Sequence, residues 1–409
     1  MTTPDLDPDL DTAAAAEFAV LRGEPGRALL ELVAAVAQPG PADLARWRKS
    51  ADADLVAAAA RIVTARRKGR AKFARADRMW FTAKGLEQAT AEAVARHKAA
   101  RFAPAGPGGT VVDLCSGVGG DALAIAALAP VVAVDLDPAM AARTRWNADA
   151  YDVGDRVRAV AARAEGFAIP PDARVHVDPD RRATSARKAN AVAEYAPGLD
   201  FLRALARAAR GGAIKLGPAS DFAAHFGGGG FEVEVTSLGG ECKEATAWFG
   251  DLAGPGVRRR ATALPAGATW TDRDDPDPAA GPVAAGPLDA WVHDPDPALA
   301  RAGLVDGFAR AQGWHRIEAG VDLFTGPSPS ASPLASSFAV AAEFPLDART
   351  LRREVAARGL GPLEIKTRGL ATSPEAYRAQ LHPAGPHPAT WILIAGRAGP
   401  GRAILARRP

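Results

Sequence analysis

The residues with the plainest chemical meaning stand in VVDLCSGVGGD, Val111 to Asp121. Two β-branched residues lead to Asp113, glycines follow at 117, 119 and 120, and an alanine-rich stretch starts at Asp121. That order predicts a strand, a tight turn and a helix, because glycine alone enters left-handed backbone space freely. Gly117, Gly119 and Ala122 satisfy the G-x-G-x-x-A spacing of a dinucleotide turn, and Asp135 follows in VVAVDLDP at a suitable distance. The two acids separate the occupants. Asp113, just before the turn, can receive a ligand ammonium and would repel a pyrophosphate, while Asp135 can accept from both ribose hydroxyls. S-adenosylmethionine (SAM), a nucleoside carrying an amino acid and no phosphate, answers that description.

A second group lies in VHVDPDRR, at the end of the fourth strand of the series. Asp178 is placed to orient a nucleophile or take its proton, with Pro179 beside it, and Arg181 or Arg182 to pair with a phosphate or carboxylate of the substrate. An internal salt-bridge cluster is the competing explanation. His176, inside the apolar strand, reads as structural, and Cys115 as a small packing residue rather than a nucleophile. A third group, ARRKGRAKFARADRMWF, interleaves Arg66, Arg67, Lys68 and further cations with Phe73, Trp80 and Phe81. It reads equally as a phosphate-binding, base-stacking surface and as a solvated helix end whose aromatics pack inward.

The elements that must position these groups follow from periodicity. Spacings of three and four over Asp11 to Phe102 predict a helical N-terminal region. From Gly106 to Gly250 strands alternate with helices as in a doubly wound parallel sheet. Its strands are expected at 110–114, 131–135, 157–161, 174–178, 213–216, 232–237 and 244–249, the last two as an antiparallel pair at one edge. VRRRATALPAGATWTD reads as a hairpin and the Pro-, Gly- and Asp-rich segment 272–287 as a linker. Three helices (297–312, 347–358 and one starting at Ser373) and several strands then make a compact α+β domain. The expected division is 1–105, 106–271, 272–287 and 288–409.

VVDLCSGVGGDALAIA, VVAVDLDPAMAARTRWNADAYDV and VHVDPDRR together resemble the class I SAM-dependent methyltransferases. Over about Val111 to Asp180 the core is similar to the trimethylguanosine synthase group. LEIKTRGLATSPEAYRAQL and ATWILIA, with ADRMWFTAKGLEQATAEAVARHKAARF before the core, resemble a branch of bacterial methyltransferases with a THUMP-like domain. The resemblance implies a Rossmann-like seven-stranded methyltransferase sheet with a helical N-terminal region and a C-terminal THUMP-like domain. It places Asp113, Ser116, Gly117 and Gly119 around the methionine and ribose of SAM, Asp135 on the ribose hydroxyls and Glu165 near the adenine amine. Methyltransferases of exocyclic base nitrogens commonly follow the acid with two prolines and an aromatic. Here Asp178 and Pro179 remain, but Asp180 and Arg181 replace the rest. A stacking partner would then come from Trp80 or Phe81, because the segment before the core folds over the acceptor in the resembling synthases.

Lys and Arg number 50 against 47 Asp and Glu, a formal charge of +3, so a nucleic-acid surface requires local clustering. Cys115 and Cys242 are the only cysteines, too few for a disulfide framework or a cysteine-rich metal site. The acidic start MTTPDLDPDLD and the absence of a long uncharged run point to a soluble cytoplasmic protein without a membrane span. Four functions remain in order of preference: a methyltransferase acting on RNA, one acting on a small or lipid-like acceptor, a non-catalytic RNA-binding protein, and a dehydrogenase. Lys366 and Arg368 could contact RNA phosphates or solvate a strand end. Oligomeric state is not legible.

Overall fold

The computed structural model describes residues 20–103, 109–181, 195–396 and 401–409. Two compact units emerge: one runs to Val233 and includes Lys243–Pro255, the other comprises Glu234–Cys242 and Gly256–Pro409.

The first unit is built on β1 (Val111–Leu114), β2 (Val131–Asp135), β3 (Val157–Ala161) and β4 (Arg174–Val177). A short antiparallel pair, β5 (Asp180–Arg181) and β6 (Tyr195–Ala196), precedes β7 (Gly211–Leu216), β8 (Phe231–Leu238) and β9 (Glu241–Gly250). Strand β1 lies parallel between β2 and β4, with β3 and β7 beyond them. Within this unit the order is β9-β7-β4-β1-β2-β3. All four residues of β1 and of β4 are buried, as parallel strands covered on both faces require. The last strand of the unit is antiparallel, as expected: β9 runs against β7, with Gly211 opposite Gly250 and Leu216 opposite Ala245. Gly239 and Gly240, both at positive φ (63° and 82°), make the reversal from β8 into β9.

Helices Glu24–Ala34, Pro41–Trp47, Ala53–Gly69, Ala83–Gln88 and Glu92–Ala99 form the N-terminal region. The first three pack Leu21, Leu30, Val33, Trp47, Val56, Ile62 and Val63 into their own core. Further along, Phe73, Met79, Phe81, Leu86 and Phe102 share one core with Val111, Val131 and Trp248 of the sheet. The helical region and the sheet therefore share one packed core. The N-terminal part of the expected helical pattern, up to residue 19, lies outside the described residues.

In the second unit β10 (Arg259–Leu264) and β11 (Ala268–Thr271) form the predicted hairpin. The segment read as a linker is held to this unit: Arg310 Nε donates to Asp275 at 3.2 Å, and the Val283 amide donates to Asp306 at 2.8 Å. Strands β12 (Trp291–Pro295), β13 (His315–Arg316), β14 (Phe324–Gly326), β15 (Ala335–Pro345), β16 (Leu360–Arg368), β17 (His387–Ile394) and β18 (Arg402–Arg407) follow. They pair in the order β13-β14-β12-β15-β18-β17-β16. In β17, Trp391 and Leu393 face a core shared with helices Ala348–Ala357 and Pro374–Leu381, while Ile392 and Ile394 face Val292, Ile317 and Phe338. The continuous apolar run WILI thus follows from a period of two on a strand buried on both sides. Ser373 caps its helix by accepting from the Ala376 amide at 3.2 Å. Among the described residues no helix is long and apolar enough to cross a membrane.

Candidate active site

The chain leaves β1 through left-handed conformations at Cys115 (φ 60°), Gly117 (φ 57°) and Gly119 (φ 88°), the last of which caps helix Gly120–Ala126. A Cβ on Gly119 would come within 3.1 Å of the Thr144 methyl, whereas one on Gly117 would meet nothing within 4 Å. The turn is pressed against helix Pro138–Ala150 at one glycine and open at the other. Two side chains of that helix hold it: Thr144 Oγ1 donates to Gly117 O at 3.0 Å, and Asn147 Nδ2 donates to Val118 O at 2.8 Å. Asn147 also brackets Trp80, accepting from its amide at 2.7 Å and donating to its carbonyl at 3.2 Å.

Beneath the turn lies a buried polar chain. His176 Nδ1 is hydrogen-bonded to Asp113 Oδ1 at 2.6 Å, and its Nε2 stands 3.9 Å from Asp121. Thr90 donates to Asp121 Oδ2 at 2.7 Å. Lys98 Nζ lies 3.0 Å from Asp121 and 2.9 Å from Glu244, with its side chain only 2% exposed. Burying an ammonium costs several kcal/mol unless it is well paired, and here two carboxylates do so. Burial pulls the Lys98 pKa down, but Asp121 and Glu244 outweigh it and hold the group above its ordinary range. Burial pushes Asp121 up, yet Lys98 and His176 hold it below the usual carboxylate range. Asp113 goes the other way, since its burial outweighs His176 and its pKa is raised.

The polar atoms around the turn match the ligand that the sequence implies. Asp113 Oδ2 and Ser116 Oγ are buried polar atoms without a hydrogen-bond partner, the condition a ligand ammonium and carboxylate would relieve. Asp135 accepts from the Gly117 amide at 2.7 Å and the Asp137 amide at 2.9 Å, which leaves each oxygen a lone pair for a ribose hydroxyl. Burial raises its pKa. Glu165 is exposed on the turn after β3, near enough for its charge to act on Cys115. The set fits SAM. Burial, with Asp135 and Asp178 nearby, pushes the Cys115 thiol above its ordinary pKa and so disfavours the thiolate.

Strand β4 ends beside β1 at the point where the strand order reverses, the crevice in which such sheets hold ligands. There the Asp178 amide donates to Leu114 O at 3.1 Å. Asp178 Oδ2 accepts from Lys215 Nζ at 2.6 Å, and its side chain is 33% exposed. Pro179 is buried. Asp180 accepts from Gln88 Nε2 at 3.1 Å, and its partner strand carries Tyr195, whose hydroxyl accepts from the Gly217 amide at 3.0 Å. Arg181 lies on β5, and Arg182 is outside the described residues.

The aromatic and basic groups before the core sit differently from a substrate surface. Trp80 is 8% exposed beside Trp146, and Phe81 is 3% exposed against Phe73. Both rings are core residues. Arg66 Nε donates to Met79 O at 2.9 Å and its guanidinium stacks over Trp80, with burial lowering its pKa to about 10. Arg67 donates to the carbonyls of Ala34, Val36 and Ala37 at 2.6–2.9 Å, closing the end of helix Glu24–Ala34. Lys72 does the same for Leu86, Glu87 and Ala89. Lys68 is exposed. Arg67 and Lys72 therefore satisfy orphan helix carbonyls, because a helix end buried in protein must find donors. Lys366 and Arg368 of the second unit both pair with Asp294, at 2.8 and 2.5 Å. Sequence reasoning missed Lys215, Lys98 and the pairing of His176; a lone lysine in the otherwise apolar AIKL is the one signal that pointed to Lys215.

The chain belongs to the SAM-dependent methyltransferases. It is 35% identical over 323 residues, 78% of this chain and 85% of theirs, to an uncharacterized SAM-dependent methyltransferase of Mycobacterium tuberculosis in strain CDC 1551 / Oshkosh, and equally to one in strain ATCC 25618 / H37Rv. The profile of the RNA cap guanine-N2 methyltransferases matches residues 108–179 and that of the THUMP domain-like family residues 335–408. A crystal structure from Porphyromonas gingivalis W83, assigned as a methyltransferase, superposes with a TM-score of 0.72 at 19% identity, covering 93% of this chain and 97% of that one. The enzyme is thus a class I methyltransferase that uses SAM and carries a THUMP-like domain.

Proposed function

We propose that this methyltransferase acts on RNA, at a base nitrogen presented to Asp178. The observation that carries the reading is the direct hydrogen bond between the ends of β4 and β1, which sets Asp178 beside the glycine turn. The match to RNA cap guanine-N2 methyltransferases spans that turn and ends at Pro179, and the THUMP-like match supports an RNA acceptor. When bound, SAM supplies a methyl group on a sulfonium. Asp113 and Ser116 would hold its amino-acid end, Asp135 its ribose and Glu165 its adenine amine. Asp178 accepts a hydrogen bond from the acceptor's N–H and so aligns the nitrogen lone pair with the methyl carbon, while Pro179 stiffens the approach. With Trp80 and Phe81 in the core, the acceptor base is gripped by its polar edge rather than by these rings. Incubation with radiolabelled SAM and total RNA from cells lacking the protein should label RNA. Label confined to the small-molecule fraction would refute the RNA assignment.

A further inference from the structure

Lys215 belongs to none of the motifs above. It stands second from the end of β7, opposite Thr246 of β9, and its side chain is 13% exposed. Charged groups surround it on every packed element: Asp178 after β4, Asp121 on helix Gly120–Ala126, Glu244 on β9, Lys98 on helix Glu92–Ala99, and Lys72. Burial pulls its pKa down, Asp178, Asp121 and Glu244 push it up, and the carboxylates prevail over the neighbouring lysines. Lys215 is therefore a full cation at neutral pH. Of the charges around it, only Asp178 lies at the end of β4 where the acceptor is presented.

We propose that Lys215 is a positioning residue for methyl transfer, fixing Asp178 Oδ2 so that Oδ1 is left to accept the hydrogen bond of the acceptor amine. This inference rests on the reading of Asp178 given above. The acceptor nitrogen's lone pair forms the new N–C bond as the C–S bond breaks, positive charge passes from sulfur to nitrogen, and one proton then leaves that nitrogen for water. If Asp178 kept that proton, the buried ammonium of Lys215 would lose its partner anion among Lys98 and Lys72. The ion pair therefore favours Asp178 as a stabiliser of the developing charge over Asp178 as the proton's owner.

The test compares initial rates of transfer from radiolabelled SAM to total cellular RNA for the full-length wild type, Lys215→Met, Lys215→Arg, Asp178→Asn and the double variant Lys215→Met/Asp178→Asn. Thermal melting and SAM calorimetry accompany each protein. Lys215→Met should lower the rate about 10- to 100-fold, the size of a charged hydrogen bond, with SAM affinity unchanged. Lys215→Arg should restore most of the rate. In the Asp178→Asn background the same Met substitution should cost little, because a neutral amide needs no cation. Lys215→Gln gives the same comparison should the Met variant fail to fold. An equal loss in both backgrounds, a rate unaffected by Lys215→Met, or a SAM affinity that falls in step with the rate overturns the proposal. Failure of the RNA reading looks different: the wild type itself labels no RNA, and the role of Lys215 falls with it.

Discussion

Asp113 shows how far a residue's type and spacing can be read. Its place before the glycine turn is visible in the sequence, as is the chemistry of an acid there, because both depend on neighbours in the chain. Its partner is not, since His176 arrives from a strand more than sixty positions away. In isolation His176 reads as a core histidine; in the fold it fixes one oxygen of Asp113 and leaves the other unpartnered. Replacing His176 with Ala removes that hydrogen bond and leaves a buried carboxylate to reorient. SAM affinity, measured by calorimetry, should fall about tenfold or more, the worth of one hydrogen bond to a charged group. Unchanged affinity would mean that Asp113 takes its position from the strand alone.

At the scale of elements, the buried group Lys98, Asp121 and Glu244 ties helix Glu92–Ala99 to β9 and to the helix that follows the glycine turn. Lys98→Met strands two buried carboxylates and should cost about 3–5 kcal/mol of unfolding free energy. The pH dependence follows from the two shifts. Asp121 titrates below its unfolded value of about 3.9, so its contribution is present above that pH and is lost as pH falls through the folded value. Lys98 titrates above its unfolded value of about 10.4, so its contribution is present below that pH and is lost as pH rises through the folded value. Denaturant titrations should therefore find a gap between wild type and Lys98→Met across about pH 5 to 9 that closes in stronger acid and again in stronger base. A gap below about 1 kcal/mol, typical of an exposed pair, would remove the group from the stabilising frame. Elements were largely legible where periodicity was strong, as in β1 to β4. The basic run at 66–78 was not, because the same cations that suit a phosphate also suit the end of a helix, and only the fold shows Arg67 spent on Ala34, Val36 and Ala37.

At the scale of the molecule, the alternation of strands and helices and the two acids were enough to identify the sheet and its ligand. The antiparallel pairing of β9 directly with β7 and the joining of the helical region to the sheet core were not, since both are set by packing between distant segments. The Pro- and Gly-rich stretch at 272–287 has the composition of a linker, yet its backbone and side chains are held by Arg310 and Asp306 of the second unit. The THUMP-like match over 335–408 falls on β15 to β18, of which β17 and β18 bury side chains on both faces. In the proposed function the glycine turn and the end of β4 act together, SAM giving its methyl group to a base nitrogen of RNA held at Asp178. The most direct measurement is to label RNA with radioactive SAM, digest it to nucleosides and identify the labelled product for wild type and Asp178→Ala. An N-methylated base that carries the label, and disappears in the variant, is the predicted result. Label on ribose, or full N-methylation without Asp178, would contradict it.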